Sequence, residues 1–201
     1  MIEEMVAGIE NLIAESITDD SEKASFEDYK KVSGATEEEL QAFEREFNVL
    51  LPDDFKTLYR CKNGSAYPFC LLYTTYAKDC VSPFCLLSLD EIRREKTCFC
   101  NKNKLMTECD GFFSDEDIAK LDKRIKPFLF NERWLPFARL AFGSLYLMLD
   151  FDPTGEGELG QVIIYVHDPD FIYYVSKGIK ELLQDTIDNL EDGYYEEFHC
   201  W

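Results

Sequence analysis

Asp150 and Asp152 stand two residues apart at the end of an apolar run. On a strand that spacing puts both carboxylates on one face. Paired carboxylates can hold a divalent cation or divide acid and base roles between them. With Gly155 they match the start of a calcium loop, but the twelfth position is Gln161 and not Glu, and the flanks do not read as helices. Gly155-Glu156-Gly157-Glu158-Leu159-Gly160 matches G-x-G-x-x-G literally. A dinucleotide site needs a strand before this loop and a helix after it, so that helix amides meet the pyrophosphate. Here the run Gln161–Val166 predicts a strand after it. Val162 fits the kinase glycine loop, yet the H-R-D and D-F-G motifs that a kinase needs are missing from the chain. Glu156 and Glu158 would also set charge against phosphate. The segment therefore reads as a glycine-rich hairpin loop, and no cofactor is expected.

The remaining reactive side chains form no recognisable centre. His167 and His199 have no partner at a readable spacing, and G-x-S-x-G, H-E-x-x-H and Walker patterns are missing. The eight cysteines are Cys61, Cys70, Cys80, Cys85, Cys98, Cys100, Cys109 and Cys200. A zinc knuckle needs two pairs of ligands at short fixed spacings. Cys80 and Cys85 have four residues between them, but Cys98 and Cys100 have only one, and no histidine is near. The cysteines are expected to be free thiols, mostly small buried hydrophobes, with Cys200 exposed and oxidisable.

Several elements must position these residues. Residues 2–17 carry a helical apolar stripe, residues 18–25 are a polar break, and 26–34 predict a short turn or helix. Thr36 and Glu39 form a capping box that starts a helix through Phe47. Pro52 opens a second helix, favoured by Asp53 and Asp54 at its N-terminus and ended at Asn63-Gly64. Residues 66–89 predict short strands broken near Lys78-Asp79 and at Pro83. Ser88–Glu95 predicts one or two helical turns, 97–112 irregular chain, and Ser114 the cap of a short helix ended by Pro127. Ser144–Phe151 and Gln161–Val166 predict two strands joined by the loop Asp152–Gly160. Asp168-Pro169-Asp170 is a turn by composition, and Ile172, Val175, Ile179, Leu182, Leu183, Ile187 and Leu190 predict a last helix over 171–191. Helices segregated from hairpin-linked strands imply an α+β fold.

The chain has 201 residues, 46% hydrophobic and 14% aromatic, with a net charge of −19. That length and apolar content suit one well-packed domain and exclude a disordered chain. Residues 1–55 hold 16 acids and 4 bases, residues 140–201 hold 13 acids and 2 bases, and residues 92–139 are slightly basic. Such a surface repels phosphate backbones and anionic lipid, so neither a nucleic-acid partner nor a membrane is expected. It attracts basic proteins and speeds their association. The first residues, MIEEMVAGIENLIAE, carry acids where a secretory leader carries bases, which points to a cytoplasmic location.

The run Ala35–Ser65, with its capped helix, Leu51-Pro52 and Asn63-Gly64, resembles the opening of the SUKH superfamily. This group includes the Smi/Knr cell-wall assembly regulators of fungi and many bacterial immunity proteins. Trp134-Leu135-Pro136-Phe137-Ala138, the glycine-led strand from Gly143 to Asp150, Gly160-Gln161-Val162 and the late Asp-Pro-Asp turn follow in the order of that family. The resemblance covers residues 35–190, with an extra helical segment over 1–34 and an acidic tail over 191–201. It implies a single domain built on a twisted, mostly antiparallel sheet with helices packed around it. It also implies a non-enzymatic immunity protein that neutralises a basic, nuclease-type toxin by direct binding, or alternatively a regulatory scaffold. The acids with no competing structural task, Asp150, Asp152, Glu156, Glu158, Asp168 and Asp170, are the expected contacts. Tyr165, Tyr173 and Tyr174 beside them would supply aromatic hot-spot area. A third reading, an enzyme using Asp150, Asp152 and a metal, remains as the chemical alternative.

Overall fold

Thr36 caps its helix as the pattern requires. Its hydroxyl accepts from the Glu39 amide at 3.2 Å and the Glu39 carboxylate accepts from the Thr36 amide at 2.7 Å. The helix that follows, α3 (Glu37–Phe47), turns through Leu51-Pro52 into α4 (Asp53–Cys61). Both present aromatic faces: Phe43 meets Phe47 in a tilted pair with centroids 4.7 Å apart, and Phe55 stacks on Tyr59 at 4.4 Å. The computed structural model describes residues 1–76, 80–98, 100–109, 111–140 and 143–195. The far tail, including His199 and Cys200, and the expected break at Lys78-Asp79 lie outside those residues.

Before α3 come two helices, α1 (Ile2–Ser16) and α2 (Asp20–Lys30). The second corrects the expected polar break over 18–25. It carries little apolar periodicity and buries only Tyr29. Asp19 starts it, accepting from the Ser21 amide at 2.7 Å. The Lys62 ammonium, set over the Tyr29 ring at 4.5 Å, donates to the carbonyls of Tyr29, Lys30 and Val32 at its end. Local polar bonds and one aromatic anchor replace the missing stripe.

The chain then forms β1 (Leu72–Tyr76), β2 (Cys80–Leu86), α5 (Leu89–Cys98), the two-residue β3 (Lys104–Leu105), the four-residue α6 (Asp115–Ile118) and β4 (Phe128–Phe130). It ends with β5 (Trp134–Leu140), β6 (Leu145–Asp150), β7 (Gln161–Val166), β8 (Phe171–Ser176) and α7 (Ile179–Glu191). Six strands form one antiparallel sheet in the order β1-β2-β5-β6-β7-β8, and β3 pairs with β4 in a small second sheet. This is the α+β architecture expected. Pro83 does not break β2. The ladder from β2 to β5 runs only over Phe84–Leu86, so the missing amide of Pro83 falls outside it. Pro136 lies at a register shift in β5, the other place where a sheet tolerates proline.

Residues 171–176 are a strand and not the start of the last helix. β8 pairs with β7 across the Asp-Pro-Asp turn, with Tyr165 opposite Ile172 and Ile163 opposite Tyr174. Ile172 and Val175 share helical spacing with Ile179, but the β-branched and aromatic run FIYYV prefers the pleated surface, and a tight turn delivers it directly to β7.

Both faces of the sheet are covered. Leu135, Phe137, Leu147, Leu149, Val162 and Ile164 pack with α1, α3, α4 and α7. On the other face Trp134, Met148, Ile163, Tyr165 and Ile172 pack under residues 100–130 through Cys100, Met106, Ile125 and Leu129. The sheet curls until its two edges approach, with Tyr76 and Tyr173 rings 6.3 Å apart. α7 closes the β1 edge with side chains. Asp185 accepts from the Thr75 amide at 2.8 Å, Thr186 accepts from the Tyr73 amide at 3.2 Å, and Asn189 donates to the Tyr73 carbonyl at 3.0 Å. An edge occupied in this way cannot template another strand.

Candidate functional site

Asp150 ends β6 and is fully buried. Its Oδ1 accepts from the Trp134 indole N–H at 3.0 Å and the Asp152 amide at 2.8 Å, and its Oδ2 accepts from Gln161 Nε2 at 2.9 Å. Burial pushes its carboxyl above the usual range, against the pull of those donors. It is therefore a clamp joining β5, β6 and β7, and the expectation that it meets a partner is corrected. Asp152 pairs with Lys126 and accepts from Asn131 Nδ2 at 3.0 Å. Partial burial opposes its charge, yet Lys126 and Asn131 hold its carboxyl below the usual range. Protein donors thus occupy the oxygens that a cation or an acid–base role would use.

The loop after Asp152 is pinned rather than loose. The Thr154 amide and Gln161 Nε2 both donate to the Arg124 carbonyl, at 3.0 and 3.1 Å. A β-carbon on Gly157 would stand 2.7 Å from that same oxygen. Gly160 has φ +82°, and a β-carbon there would meet Pro52 Cγ at 2.6 Å. The loop therefore rests on the turn between α3 and α4, and only glycine permits the approach. Its exposed tip holds Glu156, Glu158 and Leu159. Neither glutamate is in an ion pair among the described residues.

The Pro52–Gly160 contact brings two aliphatic side chains to one region of the surface. Leu50 is 79% exposed and Leu159 is 72% exposed, each close in sequence to one of the touching residues. Beside them an open cleft of ≈ 480 Å³ is lined by Asp53, Asp54, Glu158 and Glu181, with Lys177 and Lys180. Asp54 is partly committed, accepting from the Lys180 amide at 3.1 Å. The cleft thus gathers four acids and two lysines from α4, the β6–β7 loop and the start of α7, with Leu50 and Leu159 exposed in the segments that flank the Pro52–Gly160 contact.

The other expected contacts lie elsewhere. Asp168 and Asp170 sit in the β7–β8 turn, and the six residues of β7 set that turn about 17 Å from the glycine loop at ~3.3–3.4 Å per residue. Asp168 is exposed with φ +64°. Asp170 is half-buried and accepts from the Tyr165 hydroxyl at 2.6 Å, with His167 Nδ1 2.7 Å from the same oxygen. Tyr165 is only 4% exposed and belongs to the second core, which corrects its reading as a surface aromatic. Tyr173 and Tyr174 are half-buried. The Tyr174 ring lies 3.2 Å under the Arg124 guanidinium, so its face is already occupied. The expected acids and tyrosines do not converge on one place. Among the described residues, no three His, Cys, Asp or Glu side chains are arranged to hold a metal.

The capped helix α3, Leu51-Pro52 at the start of α4, the Trp134 strand and the buried Asp150 recur in the order that the resemblance required. A model of the SMI1/KNR4 family (SUKH-1) matches residues 34–185. The chain belongs to the SUKH family. A search of curated proteins found no match. The SUKH match opens just before α3 and closes within α7, so α1 and α2 lie outside it. No described helix is long and apolar enough to cross a membrane. The SUKH region contains both exposed segments, Leu50 and Asp53 in one and Glu158 and Leu159 in the other. Sequence reasoning missed Leu50, Asp53, Leu159 and Glu181. The available signal was Leu50-Leu51 before Pro52: two adjacent leucines at a helix start cannot both face the core.

Proposed function

We propose that this SUKH protein binds a basic protein and neutralises it by occupying its working surface, the partner being a nuclease-type toxin domain. The reading includes no catalytic step and no cofactor. The observation that carries it is the pair Leu50 and Leu159, both exposed in the two segments that meet at the Pro52–Gly160 contact, which also expose Asp53, Glu156 and Glu158. Aliphatic area inside a charged rim is the usual anatomy of a protein interface. A chain of net charge −19 selects a partner of opposite sign. Nuclease domains have such surfaces, because they must bind phosphate backbones.

The contact set is accordingly redrawn. Glu156 and Glu158 stay, joined by Leu50, Asp53 and Leu159. Asp168 stays as an exposed acid at the far turn. Asp152 and Asp170 are retained only as supports at the two turns, and Tyr173 and Tyr174 only as half-buried residues within β8.

The test is co-expression with the toxin domain encoded nearest to this chain, scored by growth and by co-elution at low and high salt. Rescue with a stoichiometric, salt-sensitive complex is expected. Rescue with a salt-insensitive complex would keep the function and remove the exposed acids from it. Failure of both rescue and complex formation would overturn neutralisation and favour the scaffold role.

A further inference from the structure

Cys70, just before β1, and Cys85, on β2, bring their sulfurs to 3.4 Å. Both thiols also face the Pro68 carbonyl, Cys85 at 3.3 Å and Cys70 at 3.7 Å. In the β2–β5 register Cys85 stands directly opposite Arg139, and opposed residues project to the same face of a sheet. Arg139 bonds Glu95 through Nη1 at 3.0 Å, and its guanidinium lies 5.5 Å from the Tyr67 ring centroid. Its Nε, however, is buried with no hydrogen-bond partner among the described residues. A buried donor left open beside a thiol is what a thiolate would satisfy.

We infer that Cys85 and Cys70 form a dithiol oxidised by small hydroperoxides, with Cys85 as the attacking sulfur, Cys70 as the resolving sulfur and Arg139 as the residue that positions and holds the Cys85 thiolate. The two thiols divide their protons accordingly. The bond from Cys70 and the Arg139 charge hold Cys85 below the usual thiol range despite its burial, while the same bond and burial keep Cys70 protonated. By contrast, burial pushes the Cys100 thiol up to about 12, and that thiol donates to the Met148 thioether at 3.8 Å.

The chemistry balances without any further reagent. The Cys85 thiolate attacks one peroxide oxygen, the O–O bond breaks, and the departing hydroxide takes back from solvent the proton that Cys85 released on ionising, leaving as water. Cys85 is then a sulfenic acid. Cys70 attacks that sulfur, the S–S bond forms, the S–O bond breaks, and the released hydroxide leaves with the Cys70 proton as a second water. Two electrons pass from the two sulfurs to the peroxide. Cys70 is 6% exposed and Cys85 is 2% exposed. Burial of that degree favours an oxidant the size of hydrogen peroxide over a bulky disulfide. A small dithiol reductant restores the pair.

The test uses the full chain, reduced, given one equivalent of hydrogen peroxide, then alkylated and mapped by peptide mass spectrometry. A Cys70–Cys85 disulfide is expected, with the exposed Cys98 still alkylated. Cys70→Ser is expected to stop at a Cys85 sulfenic acid that dimedone traps. Arg139→Gln is expected to slow oxidation about tenfold by removing the cation that favours the Cys85 thiolate, with Arg139→Lys recovering part of the rate. Circular dichroism establishes that each variant is folded, and where Cys70→Ser fails to fold, the disulfide map of the unaltered chain and the Arg139→Gln rate decide. Oxidation of Cys98 with Cys70 and Cys85 both alkylated would overturn the inference. An unchanged rate in Arg139→Gln would remove Arg139 from it.

Discussion

Trp134 and Asp150 face each other across β5 and β6, and the indole N–H donates to the carboxylate inside a site closed to water. The pair explains why an acid sits at the end of an otherwise apolar strand. The carboxylate collects three donors from three strands or their ends, and of these only Gln161 Nε2 has a second acceptor, the Arg124 carbonyl.

Asp150→Ala should therefore destabilise the protein by about 2–4 kcal/mol, since leaving a buried donor open costs roughly 1–3 kcal/mol. Chemical denaturation measures it, and a loss under ~1 kcal/mol would contradict the clamp. Because burial raises the carboxyl of Asp150 in the fold, the proton-linked part of its contribution is complete below the ordinary aspartate value of about 3.9 and is lost as pH rises through the folded value, while the donors go on holding the carboxylate. Asp152, lowered in the fold, has the opposite sign: its contribution is present above the ordinary value and is lost as pH falls through the folded one. Carboxyl NMR titrations should place the two midpoints on opposite sides of the ordinary value.

Gly160→Ala should cost more than the ~1 kcal/mol of a simple glycine replacement, since it adds both a positive-φ penalty and a clash with Pro52. It should also lift the loop and weaken partner binding. Leu50→Ala with Leu159→Ala should weaken binding with stability nearly unchanged, because both side chains are already in water. Titration calorimetry against the partner, set beside thermal melts, separates the two effects.

Asp185→Ala should open the β1 edge by removing the acceptor of the Thr75 amide and the Thr74 hydroxyl. The expected outcome is concentration-dependent self-association, visible in sedimentation velocity, with a modest loss of stability. A strictly monomeric variant would argue that the rest of α7 suffices to cover the edge.

His167 should titrate above its ordinary value, because Asp170 bonds and faces its ring and Asp168 adds to the field. The sign follows: what this pair contributes to the fold is complete below the unfolded histidine value of about 6.5 and fades as pH rises through the folded one. Asp170→Asn should return the imidazole midpoint toward the ordinary value in a proton NMR titration.

The helices with capping signals and apolar stripes were legible, as were the glycine-loop hairpin and the α+β class. The misreadings share a physical origin. In a sheet covered on both faces, period-two alternation disappears. Nothing in LYLMLD or QVIIYV then shows which side chains meet water, so Asp150 and Tyr165 passed for surface groups. Residues 171–176 satisfied a helical spacing by coincidence, and only their pairing with β7 decides the matter. α2 was hidden because its stability comes from Lys62, 32 residues beyond Lys30. The meeting of the Leu50 and Leu159 segments depends on a contact between Pro52 and Gly160, which no local pattern encodes.

The closure of β1 by α7 joins residues 110 to 116 positions apart in the chain. During synthesis β1 and β2 emerge long before Asp185 and Asn189 exist to cover them. The growing chain thus carries an open strand edge through most of its translation, and pairings this distant in sequence form late in folding. A stalled or truncated product lacking α7 is a species suited to chaperone capture or clumping, and the yield of native protein is set by how soon that last helix arrives.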